Sequence, residues 1–210
     1  MLRNRINALI PLDPHVGENG IYNIRSLYFD DYNDRCFYEN ENGTDPREKF
    51  RIRIYNHSDT RIALECKRKE HGKTLKTSCR LTREQADMLI RGQCVPDFDD
   101  QPTVLRKLTM ETMTRGMKPV VTVEYDRVPY VFNIGNVRIT FDMNISSSYA
   151  VTDFFEAVIP KRPIMPVGQH LMEVKFDELL PDFIYRNLQI ESLQQTAYSK
   201  YYLCRRFGLN

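Results

Sequence analysis

Residues 49–55 read KFRIRIY, and two later stretches repeat the pattern: LECKRK at 64–69 and LMEVKF at 171–176. Charged and apolar residues alternate in each. Side chains along a strand point to opposite faces in turn, so a period of two marks a half-buried strand. Parity then assigns the faces. In 49–55, Phe50, Ile52 and Ile54 form one face and Lys49, Arg51, Arg53 and Tyr55 the other. In 62–69 the split is Ile62, Leu64 and Cys66 against Glu65, Lys67 and Lys69, with Arg68 breaking the apolar side near the strand end. In 75–81 it is Leu75, Thr77, Cys79 and Leu81 against Lys76, Ser78 and Arg80. In 137–142 it is Val137, Ile139 and Phe141 against Arg138, Thr140 and Asp142, and in 172–176 Met172, Val174 and Phe176 against Glu173 and Lys175. The stretch 121–127 sorts less cleanly, because Arg127 shares parity with Val121, Val123 and Tyr125.

Working outward, YNIRSLYFDD (22–31) is a strand rich in β-branched and aromatic residues. Residues 30–46 are polar and turn-rich. Residues 49–56, 61–70 and 73–81 form an antiparallel meander joined by NHSDT and EHGK. Thr82 and Gln85 make a capping box for the helix that follows, and Gly92 is placed to stop it. A second helix is expected over about 102–116. Strands return at 120–127, 129–133 and 137–142, a Pro- and Ser-containing loop fills 144–169, and a last strand spans 171–178. Helical segments close the chain, and another opens it, where Leu2, Ile6, Leu9 and Ile10 recur at helical spacing before Pro11. No repeat or linker divides the chain, so residues 1–210 read as one domain.

The chain has 210 residues, of which 41% are hydrophobic, enough for one sizeable core. Thirty basic and 28 acidic residues leave a net charge of +2. That balance argues against a nucleic-acid binder driven by bulk charge. Five cysteines, an odd number with no CxxC pair, read as free thiols in a reducing compartment. No secretory leader or membrane-length apolar run is visible, so the expected setting is cytoplasmic. His15, His57, His71 and His170 sit in polar or turn-like surroundings and read as surface residues.

The charged faces carry the functional argument. A one-sided sheet with a solvated outer face explains the alternation alone. It does not explain the signs. A meander sets Arg51 and Arg53 beside Lys67 and Lys76, and like charges opposite one another destabilise a sheet. Carboxylates on these faces are few: Glu65, Glu173 and Asp142. Many cations with sparse carboxylates suit a polyanion and a divalent metal. Arginine forks grip phosphate oxygens, and one or two carboxylates hold Mg²⁺ or Mn²⁺ while phosphate completes its shell. Asp142 is open between a role near the metal and a structural pair with an arginine.

The run IRSLYFDD, KFRIRIY, LECKRK, VEYDR, VRITFD, LMEVKF and SKYYLC, in that order over residues 8–207, resembles the VTC domain. This is the catalytic domain of the vacuolar transporter chaperone polyphosphate polymerases and their bacterial relatives, within the triphosphate tunnel metalloenzymes. The resemblance implies an α+β fold: an antiparallel β-barrel, the triphosphate tunnel, flanked by helices. It implies an enzyme that takes the γ-phosphate of ATP and adds it to inorganic polyphosphate with Mn²⁺ or Mg²⁺. By the same resemblance Arg51, Arg53, Lys67 and Lys76 bind triphosphate, Arg127 and Arg138 do so from the opposite wall, and Lys200 approaches from the terminal helix. Glu173 is the metal ligand, and Arg25, Lys49, Glu65, Lys175 and Ser199 line the substrate path. Members usually begin with a charged Glu-x-Lys strand; this chain starts inside the helix that follows it, so the first tunnel strand is expected to be lacking. The exposed edge would then invite a homodimer or a partner strand. Eukaryotic relatives also have a membrane-protein partner. Two alternatives stand beside the polymerase: a tripolyphosphatase or nucleoside triphosphatase, with water as acceptor, and a non-catalytic polyphosphate- or nucleotide-binding module.

Overall fold

The computed structural model describes residues 2–190, 193 and 195–208. In chain order the elements are α1 (Leu2–Leu9), β1 (Tyr22–Asp30), α2 (Arg35–Glu41), β2 (Arg47–Tyr55), β3 (Ser58–Glu70) and β4 (Lys73–Leu81). There follow α3 (Arg83–Ile90), α4 (Thr103–Arg115), β5 (Lys118–Phe132), β6 (Val137–Ser148), β7 (Arg162–Pro163), β8 (Leu171–Lys175), α5 (Asp182–Leu188) and α6 (Lys200–Arg206). The strands form one eight-stranded sheet in the order β4-β3-β2-β1-β5-β6-β7, with β8 paired to β6. The pairs β1–β2, β2–β3, β3–β4, β6–β7 and β6–β8 are antiparallel. The path is open: among the described residues no pair joins β4 to β7. These pairings therefore give the α+β class and the antiparallel sheet, but not the closed barrel.

Two compact units share the strands. One comprises Met1–Asn23, Tyr125–Ile145 and Met165–Tyr198, the other Ile24–Glu124, Ser146–Ile164 and Ser199–Asn210. In the first, α1 and α5 cover β5, β6 and β8 through a core of Ile6, Ile10, Val128, Tyr130, Val137, Ile139, Phe141 and Ile184. In the second, α3 and α4 pack on β3 and β4. Phe50, Ile52, Ile54, Ile62 and Leu64 are each at most 1% exposed, as parity requires.

Several elements depart from the sequence reading. The polar stretch 30–46 contains α2. The Asp30 and Asp31 carboxylates accept the backbone N–H groups of Cys36 and Phe37, and of Asn33 and Arg35, at 2.8–3.1 Å, satisfying donors that a helix start leaves open. Only Cys36 and Phe37 of its seven residues are buried, so no apolar period announced it. The expected strands 120–127 and 129–133 are one, β5. Beside Pro129 the segment before β1 runs along β5: the Pro129 carbonyl accepts from the Asp13 N–H, and the Val131 N–H donates to the Pro11 carbonyl. The buried set changes parity along β5, from Val121, Val123 and Tyr125 to Val128 and Tyr130, which takes Arg127 off the apolar side. β6 runs on to Ser148, past Asn144 at φ 54°. Leu75 and Phe176, assigned to apolar faces, are 62% and 46% exposed. Leu75 lies on the outermost strand, away from its buried end at Leu81, and Phe176 lies beyond the end of β8. The Thr82–Gln85 capping box forms as read. The five cysteines are free. Among the described residues no helix is long and apolar enough to cross a membrane.

Candidate functional site

Register aligns the charged faces of β2, β3 and β4 in rows. Lys49 stands opposite Lys67, and Lys67 opposite Lys76. The next row is Tyr28, Arg51, Glu65 and Ser78, and the one beyond is Ser26, Arg53, Ala63 and Arg80. Three lysines in register across adjacent strands cost the sheet electrostatic energy. Glu65 offsets part of that cost. Its Oε2 lies 2.6–2.8 Å from the Arg51 guanidinium and 3.8 Å from Arg53, and its Oε1 3.4 Å from Lys76. Burial pushes the Glu65 carboxyl up, but Arg51, Arg53 and Lys76 outweigh burial and bring it down to about 2.

That value carries a prediction. Glu65 binds fewer protons folded than unfolded below its ordinary value of 4.5. Its stabilisation is full above that pH and is lost as pH falls from there towards 2. Acid melts of the native chain should show this loss, and Glu65→Gln should flatten it; an unchanged acid limb in the variant would count against the pairing.

Around these rows the arginines are held in place. Arg51 donates from Nη1 to the Tyr28 hydroxyl at 2.8 Å, and Arg53 from Nε to Ser26 Oγ at 3.1 Å. Lys49 donates to Asn40 Oδ1 and, at 3.2 Å, to Ser199 Oγ. Burial drives the Lys49 amine down to about 8, with repulsion from Arg47 and Lys67 adding to it. Ser199 also caps α6 by accepting from the Tyr202 N–H. Lys200, the first residue of α6, is close enough to act electrostatically on Tyr28. Lys67 and Lys76 are exposed.

The second unit's cation face thus gathers Lys49, Arg51, Arg53, Lys67, Lys76 and Lys200 with Glu65 and Ser199. Arg25 does not join them. Its register partner is Ile54, on the core side of β2. It is 1% exposed and donates to Glu124 at 2.6 Å and to the carbonyls of Phe154 and Glu156 at 2.8 and 2.5 Å. Glu124 also meets Lys161 and, at 3.5 Å, His57. Arg25, expected to line the substrate path, is buried in its ion pair with Glu124 and on these carbonyls of Phe154 and Glu156.

The first unit holds the other expected residues. Arg127 makes a bidentate pair with Asp142, 2.6 and 2.8 Å, which realises the structural alternative for Asp142. Nη2 of Arg127 also lies 3.7 Å from Glu173, whose other oxygen is 3.2 Å from Lys175. Arg138, register partner of Lys175, is half exposed, 4.0 Å from Asp13.

Does this set suit a divalent ion? No group of three or more His, Cys, Asp or Glu residues gathers among the described residues. Glu173 is partly exposed and accessible, whereas both Asp142 oxygens are taken by Arg127. Thr140, directly across from Glu173, is 3% exposed, and its buried hydroxyl has no partner among the described residues. One accessible carboxylate beside an unsatisfied hydroxyl fits a cation that brings most of its shell as phosphate oxygens and water. It does not form a closed protein cage.

Sequence reasoning missed Ser26 and Tyr28, which face Arg53 and Arg51. Their even parity in YNIRSLYFDD was visible, but nothing local said which face of β1 joined the cations.

The VTC domain family model matches residues 1–207. No curated protein matches the chain in sequence. Among solved structures, a Bacillus halodurans protein assigned as an adenylate cyclase is 15% identical, with a TM-score of 0.50 over 89% of this chain and 78% of that one. A Hippeastrum adenylyl cyclase candidate with a dominant triphosphatase activity is 14% identical, with a TM-score of 0.44 over 70% of this chain and 67% of its own. A Pyrococcus horikoshii protein is 16% identical, with a TM-score of 0.40 over 69% and 64%. The likeness to the Bacillus protein is one of fold.

Proposed function

The chain belongs to the VTC domain family, and from that premise we propose that it is a cytoplasmic, divalent-metal-dependent phosphotransferase extending inorganic polyphosphate from ATP. The cation face of β2, β3 and β4 carries this reading. Its lysines stand in register, where like charges face one another, and an anionic ligand would offset that repulsion.

Phosphoryl transfer asks for positioning and charge stabilisation rather than a protein nucleophile. Arg51 and Arg53, fixed by Glu65, Tyr28 and Ser26, offer planar forks to the β- and γ-phosphates of ATP. Lys49, Lys67 and Lys76 hold the growing chain along its length. An oxygen of the terminal phosphate attacks the γ-phosphorus in line, the bond to the β,γ-bridging oxygen breaks, and ADP leaves with that electron pair. The attacking oxygen is already anionic near neutral pH, so no strong base is needed. Glu173 is the residue that would hold Mn²⁺ or Mg²⁺, which supplies Lewis-acid neutralisation of phosphate charge when bound.

The test is incubation with ATP and Mn²⁺, following polyphosphate, free phosphate and ADP together, with Arg53→Ala and Glu173→Gln as controls. Long chains with ADP, lost in both variants, are expected. Free phosphate without chains would make the enzyme a hydrolase, and no turnover with tight binding would make it a binding module.

Lys49 adds a pH prediction. Its amine is charged below about 8 and neutral above. Tripolyphosphate affinity should therefore fall as pH rises from 7 to 9, and Lys49→Met should weaken binding at pH 7 while flattening that slope. Calorimetric titration across this range checks it; parallel slopes in both proteins would remove Lys49 from the binding surface.

A further inference from the structure

Tyr28, in the cation face, has hydrogen bonding that is half complete among the described residues. It lies on β1 directly opposite Arg51 and is 8% exposed. Its phenolic oxygen accepts from Arg51 Nη1 at 2.8 Å. Its own proton has no acceptor among the described residues. A nearly buried hydroxyl usually finds partners for donor and acceptor alike, because leaving one unmade costs the full desolvation of that group. The ring is fixed from two sides: the Arg51 guanidinium lies 5.7 Å from its centroid, and the Tyr201 ring packs at 5.2 Å. The hydroxyl therefore has little freedom to seek a partner elsewhere.

The charges around it identify what is missing. Arg51 donates to the phenolic oxygen, and the charges of Arg53 and, from α6, Lys200 also act on the phenol. Glu65, which stands in the same row, is engaged by Arg51, Arg53 and Lys76. A proton donor held among cations, with no acceptor among the described residues, suits an anionic oxygen from outside.

We propose that Tyr28 is a substrate-binding residue that donates its hydroxyl proton to a non-bridging phosphate oxygen held between Arg51 and Arg53. This rests on the triphosphate reading of the face and assigns it a neutral donor. Arg51 then has a double role. It grips the phosphate and, through its bond to the phenolic oxygen, aims the phenol proton at it. A neutral donor also differs from a further cation in kind: it adds direction at the centre of the field without adding repulsion.

Tyr28→Phe removes the hydroxyl and keeps the ring against Tyr201. Tripolyphosphate affinity, measured by calorimetry on the full chain, should fall about ten- to a hundredfold, the range for one hydrogen bond to a charged group. The ligand-free melting temperature should stay within about 2 °C, since the ring packing is unchanged. A second readout is independent of folding. An anion that accepts the phenol proton holds the protonated form, so tripolyphosphate should shift one tyrosine to higher pH in ultraviolet titration. That shift should be absent in Tyr28→Phe. Equal affinity in variant and native protein, or no change in the tyrosine titration, overturns the assignment and leaves the triphosphate reading standing. Failure of the native protein to bind tripolyphosphate at all overturns both.

Discussion

Arg51→Ala is expected to lower kcat/KM for ATP-dependent transfer by about 10²–10³-fold, the scale for losing one preorganised donor to developing charge. The guanidinium is held on three sides before any substrate arrives: Nε and Nη2 on Glu65 at 2.8 and 2.6 Å, and Nη1 on Tyr28. That preorganisation is what a phosphate meets, and alanine removes it without a substitute. Glu65 still faces Arg53 and Lys76 in the variant, so its charge stays compensated and the fold should persist. Arg51→Lys separates charge from geometry. It restores the positive charge but not the planar fork, and should recover only part of the activity. Steady-state kinetics on the three proteins, with a melt of each, decides the matter. Activity within threefold of native in a folded Arg51→Ala variant would show that the substrate does not bind at this row.

The second large effect is on stability. Arg25→Met should destabilise the chain by about 3–5 kcal/mol, the range for breaking one side of a buried ion pair. For a chain of this size that is a fall in melting temperature on the order of 10 °C. Arg25 and Glu124 are 1% and 3% exposed, and the Arg25 guanidinium also ties down the carbonyls of Phe154 and Glu156. Without it, Glu124 keeps Lys161 and His57 but loses its most buried partner, and two carbonyls lose their donor. Arg25→Met with Glu124→Leu should recover part of the loss, because two apolar groups leave no stranded charge. Denaturant and thermal melts measure this, and tripolyphosphate binding at low temperature should stay near native in Arg25→Met. A variant that melts within 2 °C of native while losing binding would return Arg25 to the substrate path.

The contrast between Arg25 and Tyr28 shows how far local pattern reaches. The alternation in KFRIRIY, LECKRK and VRITFD determined the strands and their apolar faces, because a period of two is fixed by the covalent geometry of each strand; the family came from the resemblance of the ordered motifs. The Thr82–Gln85 capping box was legible for the same reason: both partners lie within one turn. What parity does not carry is which of a strand's two faces joins which face of its neighbour. That depends on register between segments far apart in the chain. Arg25 read as a lining residue through the family resemblance; its register against Ile54 puts it in the core. Tyr28 read as an aromatic strand former; its register against Arg51 puts it among the cations. Asp142 was open from sequence, and the approach of Arg127 from β5 settled it as an ion pair. The sequence by itself determined a charged sheet face and the family to which it belongs. Only the tertiary structure decided which charges meet, because strand pairing and burial are properties of contacts between distant segments.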